Sequence, residues 1–459
     1  MQKASFNKQL FINAPADDVF QWHARPGALE RLSPPWDPLE VVEQHGGINK
    51  DATVLMKMKA GPFFYHWAAE HTDYLENRLF KDRQKRGPFA FWTHTHTFQP
   101  VRSGGSLMQD QIEYALPFDP FSRPFLPVIQ KKLERIFNYR HTTLAHDLAL
   151  HHARRLKQPL NIVISGASGL IGRAIIPFLT TGGHHVTRLV RKTENTPNQL
   201  FWDPLAGKLE PSVLKNPDVI INLSGESIGQ GRWTKAKKRK ILQSRIKTTA
   251  LLSETIANLN PPPKILLNAS AIGYYGNQGD CTLTEDDCCG SDFISEICRN
   301  WEKATAEAHK RGIRVVFLRI GVVLTPCGGA LEKMLFPFKM GLGGKFGSGR
   351  QYISFIGIDD VIGAIYHIIN NDYIEGPVNI VAPNPVTNLE FTKTLGKVLK
   401  RPTLLTVPKI AIKSVYGEMG QEILLSGTRV EPQKLLASGY SFRNPDLEGV
   451  LRHVLGLEL

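Results

Sequence analysis

The sequence predicts an α/β fold built on a doubly wound parallel sheet, preceded by a separate α+β region. Three observations carry this reading. A glycine-rich turn, Gly166-Ala-Ser-Gly169-Leu-Ile-Gly172, joins an apolar strand to an apolar helix. Strand and helix patterns then alternate as far as Arg319, which implies a parallel sheet. The first 150 residues read differently, as a short helix, a run of strands and one long helix.

The chain has 459 residues, enough for two or three domains. We expect an N-terminal domain over 1–150, a linker over 151–159 and a second domain over 160–459. Hydrophobic residues make up 42%, enough for sizeable cores. The opening Met1-Gln-Lys-Ala-Ser-Phe lacks the apolar core of a signal peptide. No apolar run reaches the roughly 18 residues of a membrane span. Cys281, Cys288, Cys289, Cys298 and Cys327 are odd in number and clustered, which does not read as a disulfide framework. Their spacing matches no common zinc pattern, so no metal is expected and the compartment is read as cytoplasmic. The net charge is +14, with basic runs at 83–86, 154–157 and 235–240. Such charge permits nucleic-acid binding, but a solvated helix face and attraction for phosphorylated ligands account for it as well, and nucleic acid is not taken as a partner.

In the N-terminal region, Phe6 to Ile12 reads as a strand, and Ala14-Pro15-Ala-Asp17-Asp18 as a helix start. Strands are expected at 53–59, 63–71, 78–83, 91–98 and 107–115. Ile129, Leu133, Ile136, Phe137, Leu144 and Leu148 recur at helical spacing. His94 and His96 alternate on one strand and face the same way as Trp92 and Phe98. They either line a cavity and bind a ligand or are satisfied within the sheet, and the pair alone names no further metal ligand. The order of elements and the segment Phe11-Ile-Asn-Ala-Pro-Ala-Asp-Asp-Val-Phe20 resemble the START-like, helix-grip superfamily of polyketide cyclases and lipid-binding proteins. That resemblance covers about 145 residues and implies an apolar small-molecule ligand.

In the second region, 160–165 is the first strand, 170–180 the first helix and 185–190 the second strand. Pro177 should kink or shorten that helix. Further strands are expected at 219–223, 264–269 and 314–319, with helices over 234–258 and 293–310. The three glycines suit a dinucleotide pyrophosphate. One makes the turn, one admits the phosphates and one lets helix pack on strand, while the helix N-terminus faces the negative charge. The end of the second strand decides the cofactor. Folds that prefer NAD place an acid there for the ribose hydroxyls. This chain has Arg191-Lys192, with Arg191 19 positions after Gly172. A guanidinium pairs with a 2′-phosphate, so NADP(H) is predicted, although an exposed basic pair at a strand end is the plainer alternative.

Later motifs include Asn222-Leu-Ser-Gly-Glu-Ser-Ile-Gly229, Asn268-Ala-Ser-Ala-Ile-Gly-Tyr-Tyr-Gly276, Leu318-Arg-Ile-Gly-Val-Val-Leu324, Gly341-Leu-Gly-Gly344 and Ile356-Gly-Ile-Asp-Asp-Val361. With the glycine turn they resemble an atypical extended short-chain dehydrogenase/reductase family of NAD(P)-dependent, sugar-nucleotide epimerase-like proteins. The resemblance runs from about 160 to the end, and 400–459 is similar to that family's C-terminal segment. It implies a Rossmann-type fold with a C-terminal substrate subdomain. It implies that Gly166, Ser168, Gly169, Leu170, Ile171 and Gly172 hold the pyrophosphate, and that Val190 and Arg191 contact the adenosine end. Leu223, Ser224 and Arg245 would also contact the cofactor. Ser270 would polarise a substrate oxygen. Tyr275 would close its loop over the substrate, with Tyr274 beside it, though both tyrosines equally read as packing. Arg350, after a glycine-rich loop, either binds an anionic substrate group or is solvated. Asp359 and Asp360 read as caps of a helix.

One departure matters. The superfamily pairs a catalytic tyrosine with a lysine four residues later, and none of the eleven tyrosines here has that lysine. The corresponding helix reads Phe293-Ile-Ser-Glu-Ile-Cys298-Arg-Asn-Trp301-Glu302. Glu302 is a candidate replacement acid or a plain helix-surface acid. The leading expectation is an NADP(H)-dependent oxidoreductase or epimerase-like enzyme for an unidentified small molecule. The alternative is a non-catalytic NADP(H)-binding or sensing protein.

Overall fold

The computed structural model describes residues 2–61, 63–102, 104–153, 158–192 and 198–457. Arg154, Arg155 and Lys157 of the expected linker lie outside them. The chain divides into two units. One holds 1–158 with 176–184, the other 159–175 with 185–459.

The first unit follows its hydrophobic pattern. Strand β1 (Ala4–Ile12) leads into α1 (Ala16–Ala24) and the short α2 (Ala28–Arg31). Then come β2 (Glu40–His45), β3 (Thr53–Ala60), β4 (Phe63–Leu75), β5 (Leu79–Arg86), β6 (Phe91–Pro100) and β7 (Ser106–Ala115). These seven strands form one antiparallel sheet in the order β1-β7-β6-β5-β4-β3-β2. Helix α3 (Leu126–Ala153) closes the unit. Leu133 and Phe137 pack with Phe6, Ile112 and Tyr114 at one end of the sheet. Leu144 and Leu148 pack with Phe20, Trp22, Phe98 and Met108 at the other. Strand β2 and helix α2 carry no clear pattern in the sequence. All of β2 but Val41 is exposed, so it lacks the alternation that marks a strand.

The second unit is built on β8 (Asn161–Ser165), the first half of α4 (Leu170–Thr181), β9 (His185–Val190), β10 (Gln199–Phe201), β11 (Val219–Asn222), α5 (Lys235–Ala257), β12 (Ile265–Ala271) and α6 (Phe293–Lys303). Strands Arg314–Ile320 and Gly376–Ile380 complete a parallel seven-stranded sheet. Its order is β10-β9-β8-β11-β12, then Arg314–Ile320, then Gly376–Ile380. The winding direction reverses between β8 and β11, so a crevice opens at the C-terminal ends of those two strands. Helix α4 runs to Thr181 through Pro177, which therefore does not end it.

Two expectations about charged side chains change. Asp359 and Asp360 open helix Ile358–Ile369, but its N-cap Gly357 gains no side-chain cap. Asp359 instead pairs with His453 at 2.8 Å, and Asp360 accepts from the Arg443 and Asn444 amides and the Tyr440 hydroxyl. Both acids pin the C-terminal segment, a role that only the folded chain reveals. The basic run at 235–240 starts α5 behind a Thr234 cap, and three of its lysines are paired: Lys237 and Lys240 with Glu226, Lys238 with Glu418. Among the described residues no helix is long and apolar enough to cross a membrane.

Inside the first unit, Arg31 grips Asp147 of α3 with two hydrogen bonds of 2.7 and 2.8 Å. The carboxylate is fully buried. Removing one partner strands the other's charge, a loss of about 3–5 kcal/mol for buried pairs. Arg31→Ala should therefore lower the urea midpoint of this unit and speed amide exchange along α3, measured by hydrogen–deuterium exchange mass spectrometry.

Candidate functional site

The glycine turn sits at the reversal of the sheet. Gly166 has φ +74°, and a Cβ there would lie 2.6 Å from the Leu223 carbonyl carbon and oxygen. A Cβ on Gly172 would lie 2.4 Å from the Gly166 oxygen. Both positions therefore exclude a side chain. They bring the end of β8, the loop after β11 and the head of α4 into one tight corner. Ser168 and Gly169 are exposed at the start of that helix, and Leu170 and Ile171 are half-buried. The amides of a first helical turn have no intrahelical acceptor, so they are free for an anion. These residues fit a dinucleotide pyrophosphate. Val190 is half-buried at the end of β9, and the next residue, Arg191, is exposed there.

Arg245 is placed differently from an open phosphate ligand. It is 9% exposed and donates from Nη1 to the carbonyls of Glu226 and Ile241. Its guanidinium lies 4.8 Å from the Trp301 ring, and burial lowers its pKa to about 10. Arg245 thus braces the loop that carries Leu223 and Ser224.

Two rows of buried polar residues cross the C-terminal side of the sheet. In the first, Ser165, Asn222 and Asn268 are register partners. Ser165 donates to Asn222 Oδ1 at 2.6 Å, and Asn222 Nδ2 donates to Asn268 Oδ1 at 2.7 Å and to Thr249 Oγ1 at 2.8 Å. Trp301 Nε1 also donates to Thr249 Oγ1, at 2.9 Å. In the second row, Ser270, Arg319 and Asn379 are register partners. Ser270 Oγ donates to Glu302 Oε1 at 2.7 Å. Arg319 grips both Glu302 oxygens, at 3.0 and 3.1 Å, and donates to Tyr275 OH at 3.0 Å. Tyr275 in turn donates to Asn379 Oδ1 at 2.7 Å.

This second network contains all three candidate catalytic residues, Ser270, Tyr275 and Glu302. It is also closed: Ser270 is 3% exposed and Tyr275 0%. Burial works against the Arg319 charge, but the Glu302 carboxylate outweighs it and raises the guanidinium pKa. Burial pushes the Tyr275 phenol up to about 12 despite Arg319. Burial, reinforced by Glu302, pushes the Cys298 thiol up to about 12. Ile297 and Cys298 of the same helix are both buried. Tyr274 is half-buried, with Arg319 3.5 Å from its ring centroid. Among the described residues, Arg350 is not brought into this network. It is exposed on a turn after Gly349, where its amide meets Ser348 Oγ.

Sequence reasoning missed Arg319 and Asn379. The signal for Arg319 was available: it is the one charge inside the otherwise apolar run Val315–Ile320. It missed Glu285 too, a buried carboxylate that accepts from the Asn379 and Lys434 amides. The five cysteines are free, and among the described residues none joins a group of possible metal ligands.

In the first unit, His94 and His96 are buried. His96 lines a cavity whose wall also includes His23, Leu32, Met108, Asp110, Phe137 and Leu144. That cavity holds about 10 Å³, room for roughly one water. This cavity is narrow and has titratable groups in its lining, where an apolar chamber was expected.

Comparison with known proteins agrees with this architecture. Residues 162–381 match the NAD dependent epimerase/dehydratase family, 12–138 the polyketide cyclase / dehydrase and lipid transport family, and 407–454 a domain of unknown function. An epimerase family protein of Mycobacterium bovis is 41% identical over 283 residues, covering 62% of this chain and 93% of that protein. The human epimerase family protein SDR39U1 is 36% identical over 299 residues, covering 64% and 100%. Its crystal structure with NADPH superposes with a TM-score of 0.61 at 34% identity, covering 64% of this chain and 99% of that one. The crystal structure of a nucleoside-diphosphate sugar epimerase from Corynebacterium glutamicum covers 99% of this chain and 90% of its own, with a TM-score of 0.82 and 34% identity. With the glycine turn at the sheet reversal and relatives matched along nearly their whole length, the chain belongs to the NAD dependent epimerase/dehydratase family, with a polyketide-cyclase-like region at its N-terminus.

Proposed function

We propose that the second unit is an NADP(H)-dependent oxidoreductase or epimerase-like enzyme acting on a small molecule. The observation that carries this is the glycine turn at the sheet reversal, with Arg191 exposed at the end of the neighbouring strand. The similar human protein solved with NADPH supports the same cofactor. NADP(H), when bound, supplies a hydride donor or acceptor. Gly166, Ser168, Gly169, Leu170, Ile171 and Gly172 hold its pyrophosphate. Val190 and Arg191 receive the 2′-phosphate end, and Leu223 and Ser224 line the next stretch. Charge-assisted hydrogen bonds contribute about 1.5–3 kcal/mol each. Arg191→Ala should therefore weaken NADPH binding about 10–100-fold and leave NADH binding nearly unchanged. Fluorescence titration of the two cofactors checks this, and an equal loss for both would contradict the assignment.

For the proton step, Ser270 exchanges protons with the substrate oxygen, Glu302 takes up or returns the Ser270 proton, and Arg319 holds Glu302 in place. Tyr275 stays protonated at neutral pH and positions Arg319 and Asn379. Tyr274 and Arg350 face the substrate side. The N-terminal unit takes a small molecule with an apolar part against Leu32, Met108, Phe137 and Leu144. A ligand larger than a water requires that cavity to widen. Five free cysteines suit a reducing, cytoplasmic setting.

A second reading, a protein that binds or senses NADP(H) without turnover, is favoured by the closure of the Ser270–Glu302–Arg319–Tyr275 network. Turnover separates the two. Under the enzymatic reading, NADPH oxidation occurs with a member of a carbonyl and sugar-nucleotide panel. Ser270→Ala then lowers the rate about 10²–10⁴-fold at unchanged NADPH affinity. Tight NADPH binding with no turnover on the panel supports the second, and turnover indifferent to Ser270→Ala removes Ser270 from the proton step.

A further inference from the structure

The sheet register of the N-terminal unit gathers titratable side chains on two adjoining rows. In one row His71 of β4 is opposite Asp82 of β5, and Asp82 is opposite His94 of β6. In the next row His96 of β6 is opposite Asp110 of β7. Directly opposed residues share a face, and so do residues two apart on a strand. The same face receives His141 and Arg140 from α3 and His23 from α1.

Asp110, 1% exposed, organises one side of this cluster. It pairs with His94 Nε2 at 2.9 Å through Oδ1 and with His141 Nε2 through Oδ2. Burial opposes its charge, but His96, His141 and His94 hold its pKa well below the usual carboxylate range. An ionised carboxylate only accepts, so His94 carries its proton on Nε2 and keeps a lone pair on Nδ1. That Nδ1 points to Asp82 Oδ2 at 3.7 Å, beyond hydrogen-bond range. His96 Nδ1 lies 2.7 Å from Asp110 Oδ1. One ring nitrogen each of His94 and His96 and one oxygen of Asp82 all lie within 4.8 Å of one another. Ligand atoms ~2.1 Å from a shared cation stand roughly 3–3.5 Å apart, so shifts of under about 1 Å per side chain close the set.

We propose that Asp82, His94 and His96 form a site for a divalent first-row transition metal ion, of the zinc kind. Two imidazoles and one carboxylate suit such ions, and three protein ligands leave coordination positions open. Asp110 supplies the outer carboxylate that fixes His94, a usual partner of metal-bound histidine. Burial, with His94 and despite Asp110, lowers His96 to about 4, so its ring is neutral and able to ligate at neutral pH. Burial raises the Asp82 pKa, and a bound cation would offset that cost. Arg140 faces both Asp82 and Asp110 and balances one of their two charges, leaving one negative charge for the dication.

The test uses the untagged full chain, stripped of metal and titrated with Co²⁺ and with Zn²⁺. One equivalent should bind, and bound Co²⁺ should show the visible bands of a four- or five-coordinate ion. Asp82→Asn and His96→Gln should each weaken Zn²⁺ binding at least ~100-fold, and Asp110→Asn about 10–100-fold. A Cys281→Ser, Cys288→Ser, Cys289→Ser triple variant should bind as the parent does. Circular dichroism checks the fold of each variant. Should His96→Gln not fold, Asp82→Asn decides, because Asp82 has the most exposed side chain of the three, at 18%. Absence of stoichiometric binding, binding unchanged in Asp82→Asn, or binding lost in the cysteine variant would overturn the site.

Discussion

The second unit depends on one close approach, the Gly166 backbone against the Leu223 carbonyl. A Cβ at 2.6 Å would force β8 and β11 apart at the point where the sheet reverses. Because Gly166 has none, the two strands stay in register, Ser165 meets Asn222, and helix α4 begins against the same corner. The positive φ at Gly166 serves this packing as much as the turn. The geometry of the turn and that of the core are therefore the same constraint, and a substitution there cannot affect only one of them.

The central strands of a parallel sheet are buried on both faces, so polar groups among them need internal partners. Here they find partners along two register rows. The Ser165–Asn222–Asn268 row underlies the crevice and reaches Trp301 through Thr249. The Ser270–Arg319–Asn379 row reaches the same helix through Glu302. Trp301 and Glu302 are neighbours on α6, so one helix secures both rows. In the superfamily pattern this helix carries a mobile proton on tyrosine and lysine. In this chain it carries an indole packed on Arg245, which holds the Glu226 carbonyl after β11, and a carboxylate paired with Arg319.

What the sequence revealed follows period and spacing. Strand alternation and helix recurrence located the two architectures, and the glycine turn located the crevice. Strand β2 escaped because its exposed face removes the alternation. The partners of charged residues escaped for another reason. Asp359 reads as a cap from its position at a helix start, yet His453, 94 residues later, takes it. Arg319 stood out as a charge among apolar residues, but only register says that it lies between Ser270 and Asn379. His94 and His96 were visible as a pair, while Asp82, Asp110 and His141 join them only through strand pairing and the docking of α3. Local pattern is legible in one dimension; long-range pairing of polar groups is not.

The Ser270–Glu302 contact shows how far geometry constrains chemistry. The serine hydroxyl donates inward, so its proton already has an acceptor. Any substrate oxygen that meets Ser270 therefore meets its lone pairs, not its hydrogen, until the hydroxyl rotates. That arrangement suits removal of a proton from a substrate hydroxyl better than donation to a carbonyl. The proton would pass to Ser270 Oγ while the serine's own proton passes to Glu302. Arg319 already donates to both Glu302 oxygens, the same atoms that would receive that proton. The same pair that orders the network thus competes for the oxygens that a proton would reach, so transfer to Glu302 would require Arg319 to shift.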